Sequence, residues 1–125
     1  MEIKLNDALN TFSVIKDIID NKKYDLSTTC QFRLLGIMKA LEPNVVNFEI
    51  IRNQKIQEYG KSDGKGNISI LEEDENAIER FKKDITNLLN ESVIINTDIK
   101  IKADEIIEKE IDTTILMLLY PFIEE

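Results

Sequence analysis

The feature that most constrains this chain is the contrast on either side of residues 60–66. Cys30, Leu34, Ile37, Leu41, Val45 and Phe48 recur every three or four residues, and Ile56 and Tyr59 loosely extend the same face. Only a helix brings positions at that spacing into line. The stripe stops at Gly60, and three of the four glycines fall within residues 60–66. Beyond them Ile78, Phe81, Ile85, Leu88 and Ser92 mark a second stripe, spaced three, four, three and four. Two such stripes joined by the turn dipeptides Asp63-Gly64 and Gly66-Asn67 predict a long helical hairpin.

Pro43 lies inside the first stripe. A proline costs roughly 3 kcal/mol in a helix interior, so the helix is either kinked there or restarts with Pro43 in its first turn. Because the phase is unbroken, the expectation is two segments of one arm, about 27–42 and 43–59, opened by Ser27 or Thr28. Gly60 is expected to end the arm in a left-handed conformation.

The remainder adds shorter elements. Met1–Leu5 alternates like a strand, and Asn6 is a good cap for a helix over about 7–21. Ile68-Ser69-Ile70 reads as a short extended piece. Val93-Ile94-Ile95 and the alternating Ile99–Lys102 predict strand able to pair with Met1–Leu5. Asp112 caps a last helix that Pro121 ends or bends. The expected fold is a single domain over residues 1–125, of class α+β and mostly helical: a long helical hairpin with a small two- or three-stranded sheet.

Residues 61–72 also resemble a calcium-binding loop between helices. Asp63 stands third, Gly66 sixth, Ile68 eighth, Ser69 ninth and Glu72 twelfth, as an EF-hand requires. The first and fifth places, however, are Lys61 and Lys65, which offer donors where a cation needs acceptors. The expectation is a chain reversal and no metal.

Composition removes most chemistry. The chain has no histidine and one cysteine, so the usual general base and a thiolate zinc site are both missing. It has no Walker A or dinucleotide glycine fingerprint. Neither an enzyme nor a cofactor is expected. Net charge is −8, split as +1 over residues 1–70 (ten bases, nine acids) and −9 over residues 71–125 (six bases, fifteen acids). Such an acidic half repels phosphate and points away from direct nucleic-acid binding. No apolar run reaches the ~20 residues of a membrane span, and the N-terminus lacks a signal-peptide plan, so a cytoplasmic location is expected. The expected partner is another protein, plausibly basic, or further copies of the chain. Its expected contacts are the acids Glu72, Glu73, Asp74 and Glu75, with Tyr120 and Phe122 as apolar anchors near the end of the chain.

The run Glu49-Ile50-Ile51-Arg52-Asn53-Gln54-Lys55-Ile56-Gln57-Glu58-Tyr59-Gly60 is followed by Asp63, Gly66, Asn67, an acidic segment and the Phe81-centred helix, and the chain closes with Tyr120-Pro121-Phe122-Ile123-Glu124. This order, over roughly residues 45–125, resembles short phage and prophage accessory proteins of Gram-positive bacteria. The resemblance implies a viral origin, residence in the host cytoplasm and a non-enzymatic role. It leaves three functional expectations: a protein-binding inhibitor of a host defence or host enzyme, an oligomeric structural or assembly component of a virion, or a degenerate EF-hand-like helix-loop-helix module.

Overall fold

The computed structural model describes residues 1–124 and shows a mostly helical α+β fold. Strand β1 (Glu2–Lys4) runs directly into helix α1 (Leu5–Asp20), which starts two residues before the point an Asn6 cap would set. A tight turn with Lys22 in the left-handed region leads to helix α2 (Thr28–Tyr59). Ser27 caps α2, its hydroxyl accepting from the Cys30 N–H at 3.1 Å. Contrary to the two-segment expectation, α2 is one continuous helix of 32 residues with Pro43 inside it. Pro43 and Lys39, whose carbonyl the proline leaves without its helical donor, are both exposed, so that carbonyl lies where water reaches it.

Gly60 departs from the predicted left-handed stop: its backbone is extended (φ −85°, ψ 173°). Glycine is needed here for space, since a Cβ would lie 2.4 Å from the Ile56 carbonyl oxygen and 2.9 Å from that of Ser69. Strands β2 (Lys61–Ser62) and β3 (Ile68–Ser69) then form an antiparallel hairpin, with Lys61 opposite Ser69. Its tip turns through Gly64 (φ 79°) and Gly66 (φ 90°), a conformation that suits glycine alone without strain. Helix α3 (Glu75–Leu89) follows, capped by Asp74, whose carboxylate accepts from the Ala77 N–H at 3.2 Å.

α3 stops at Leu89, so Ser92 belongs to strand β4 (Ser92–Ile94) rather than to the helix face. β4 pairs antiparallel with β1, Ile3 opposite Val93. The stretch around Ile99–Lys102 does not join that sheet. Strand β5 (Ile101–Lys102) pairs in parallel with a terminal strand β6 (Ile123–Glu124), which the sequence did not announce. Between them lie a short helix α4 (Ala103–Ile106), a 3-10 turn, and helix α5 (Thr113–Leu119), capped by Asp112 as expected.

The buried cluster comprises Ala8, Ile15 and Ile18 of α1, Leu26, then Cys30, Leu34, Ile37 and Leu41 of α2, and Ile95, Ile101, Ile106, Ile111, Ile115, Leu119 and Phe122 of the C-terminal third. Thr11 is buried with them; its hydroxyl donates to the Asp7 carbonyl at 2.6 Å and lies 3.4 Å from that of Leu118, tying α1 to α5. From Glu42 to Ile94 the only buried residue is Ala77. The chain therefore has two regions: a body with a closed core, and an arm made of the second half of α2, the β2–β3 hairpin and α3.

Candidate interaction surface

The arm is held by side chains that meet across its two helices. The Tyr59 hydroxyl donates to Asp84 Oδ2 at 2.5 Å, and Lys55 Nζ lies 3.1 Å from Glu58 and 3.7 Å from Asp84. The Asp84 carboxylate, acting as acceptor, raises the Tyr59 pKa above its ordinary value of 10.0, so the phenol stays a donor at neutral pH. Apolar contact is incomplete. Val45, Phe48, Ile56, Ile78, Phe81, Ile85 and Leu88 point between the helices at the predicted spacing, yet each is only half-buried.

This incompleteness leaves a shallow groove of about 340 Å³, lined by Arg52 and Ile56 of α2, Ile68, Ser69 and Ile70 around β3, and Ile78, Phe81 and Lys82 of α3. Its two ends differ in charge. Arg52 and Lys82 stand at the end nearer the body, and neither is in an ion pair among the described residues. At the hairpin end Ile70 leads into Leu71, itself 38% exposed, and then into Glu72, Glu73, Asp74 and Glu75. Of these acids Glu72, Glu73 and Glu75 are exposed, while Asp74 is half-buried and used by the α3 cap.

The two expected C-terminal anchors part company. Tyr120 is 65% exposed, beside Met117 at 72%. Phe122 is fully buried in the body core and cannot anchor a partner. In the 3-10 turn over Tyr120–Phe122 successive residues are rotated by about 120°, which sets Phe122 on a different side from Tyr120, in the core.

The glycine loop closes on itself. Asp63 Oδ1 accepts from the Lys65 N–H at 2.7 Å and the Asn67 N–H at 3.3 Å, and Oδ2 accepts from Asn67 Nδ2 at 3.3 Å. These bonds hold the Asp63 carboxyl below its ordinary pKa of 3.8, the Lys65 backbone bond contributing most. The carboxylate oxygens that a calcium loop would turn toward a cation are spent on the hairpin. Among the described residues no group of three or more His, Cys, Asp or Glu is placed to hold a metal ion.

Cys30 is the only thiol of the sequence, and its buried surroundings silence it. Burial, followed by the nearby Glu105 carboxylate, pushes the thiol from 9.0 up to about 11. At neutral pH the thiol therefore stays protonated. Glu105 is only 18% exposed and bonded through Oε1 to Arg33 at 2.6 Å, with Oε2 buried and without a hydrogen-bond partner among the described residues. No sequence signal marks this pairing, since Arg33 and Glu105 are 72 positions apart.

Among the described residues no helix is long and apolar enough to cross a membrane. No family model matches this chain, and neither a curated protein nor a solved structure matches it.

Proposed function

We propose that this chain is a non-enzymatic protein-binding module that holds a segment of a partner protein in the groove of its arm. The observation that carries the reading is the groove itself: five apolar side chains, Ile56, Ile68, Ile70, Ile78 and Phe81, line a cleft the chain does not fill. The charge at its ends gives the occupant a direction. A segment with apolar side chains in the middle fits with basic residues over Glu72, Glu73 and Glu75 and acidic ones over Arg52 and Lys82. The inert Cys30 thiol and the absence of histidine from the sequence support a role without bond-making chemistry.

The resemblance to small acidic phage and prophage accessory proteins suits this role, with a host defence protein or host enzyme as the bound and inhibited partner. Capture from host lysate tests it. The wild-type chain should retain a protein that is released by high salt and lost by the exposed triple variant Glu72→Lys, Glu73→Lys, Glu75→Lys. Equal capture by both forms, or capture indifferent to salt, contradicts a charge-directed groove. An assembly component acting as an oligomer is the second reading, and the outer face of α2 favours it.

A further inference from the structure

Helix α2 has two apolar faces. The inner one meets α1 and the C-terminal third in the body and α3 in the arm. On the opposite side Phe32, Leu35, Lys39, Pro43, Val46, Ile50, Asn53 and Gln57 follow one another at intervals of three or four, and every one of them is exposed. Phe32 is 75% exposed, Leu35 38%, Val46 49% and Ile50 50%. Lys39 is the only charge on this line, in a chain in which 32% of residues are charged. Spacing of this kind over about 39 Å is that of a helix that packs against another helix.

From this we infer that the outer face of α2 is where two copies of the chain pair, antiparallel about a twofold axis at the height of residue 41. The face is self-complementary in that register and in no parallel one. An antiparallel copy sets Phe32 against Ile50 and Leu35 against Val46, and places Lys39 between Pro43 and Glu42 of the second copy. Glu42 already faces Lys39 within the chain at 3.9 Å, so each ammonium gains a second carboxylate across the axis. A parallel pair would oppose Lys39 to Lys39. Antiparallel pairing also carries each body alongside the other copy's arm rather than against its body. Net charge favours this surface too: two chains of −8 repel, and a nearly uncharged face is where they can approach.

The footprint is modest. In this register the shared line runs from Phe32 to Ile50, about 28 Å, and at one helix diameter of about 10 Å wide it projects to on the order of 300 Å², under half of what each partner buries in a standard stable interface. The dimer is therefore weak and concentration-dependent. It uses the outer face, away from the groove, so loss of one activity leaves the other readable.

Sedimentation from about 1 μM to about 1 mM measures the pairing. The wild-type chain should pass from monomer to dimer, and Ile50→Glu should raise the dissociation constant at least tenfold with an unchanged helical spectrum. Lys39→Glu should weaken the dimer, and Lys39→Glu combined with Glu42→Lys should restore it, which controls for any folding defect of the Ile50 variant. In a Cys30→Ala background, a mixture of Phe32→Cys and Ile50→Cys chains should cross-link to each other more readily than either does to itself. A monomer at all concentrations, a dimer indifferent to both Ile50→Glu and Lys39→Glu, or cross-linking preferentially between identical positions would overturn the inference.

Discussion

The body and the arm share one helix and differ in what covers it. Between Cys30 and Leu41 the inner face of α2 is closed by α1, β5 and the core residues of the C-terminal third, and Leu34, Ile37 and Leu41 are at most 1% exposed. Fifteen residues further on, the same stripe in the same helix meets only α3 and the short β3, and Phe48, Ile56 and Tyr59 stay half-buried. The arm's helix-helix contact follows the same spacing rule as the body's, but no third layer lies over it. A two-helix hairpin cannot enclose side chains on all sides, whatever its sequence. What the difference teaches is that apolar spacing identifies a face, whereas burial depends on how many elements converge on it.

That comparison can be broken most easily by removing an aromatic ring from each region. Phe122→Ala in the body should cost about 3–5 kcal/mol, because the ring is fully enclosed and leaves a cavity. Phe81→Ala in the arm should cost about 1 kcal/mol, because its ring is only half withdrawn from water. Denaturant titrations monitored by circular dichroism give both values; equal costs would erase the distinction.

A second test is the alkaline limit of the body. The Cys30 thiol is raised in the folded chain, so its contribution is fully present below the unfolded value of 9.0 and is lost as pH rises toward about 11. Over that window stability should fall by on the order of 2 kcal/mol, and Cys30→Ala should flatten the slope. A wild-type slope unchanged by the substitution would contradict the burial of this thiol.

A smaller effect is expected at the seam between α2 and α4. Arg33→Ala strips the one basic partner from the partly buried Glu105 and should cost about 1–2 kcal/mol, largely recovered when Glu105 is replaced by Gln in the same chain. Double-mutant analysis of unfolding midpoints checks this, and additive losses would mean that the pair contributes nothing. The smallest effect belongs to the arm. Tyr59→Phe should leave global unfolding almost unchanged but speed amide exchange in α3 and in the second half of α2, since it cuts the hydroxyl bond to Asp84.

Much of this architecture was legible because its signals are local. The α3 spacing, the Asp112 cap, the Ser27 cap and the helical hairpin each depend on residues within a few positions of one another. Non-local features were hidden. The parallel pairing of Ile101 with Ile123 joins strands of two residues, too short to leave a periodic trace. The Glu105–Arg33 pair leaves no local signal because its partners are 72 positions apart. Phe122 looked like an exposed anchor because a 3-10 turn after Leu119 cannot be read from a lone Pro121. Gly60 was predicted from the commonest use of glycine at a helix end, whereas here the approach of the Ile56 and Ser69 carbonyls demands it. Pro43 was expected to divide the arm at residues 42 and 43, yet the helix runs through it, because its cost is met at an exposed position. The acids at Glu72–Glu75 were singled out by composition alone; the groove that gives them a neighbourhood appears only when β3 is folded against α2 and α3.

The most direct test of the account is hydrogen exchange along α2 itself, measured on dilute protein where pairing between copies is negligible. Because the helix is continuous, propensity and geometry are shared, and coverage is the main variable. The account predicts strong protection for amides of residues 31–41, approaching that of global unfolding, and markedly faster exchange for residues 46–59 together with α3. Uniform protection from Gln31 to Tyr59 would contradict it, since the arm would then be as fully held as the body.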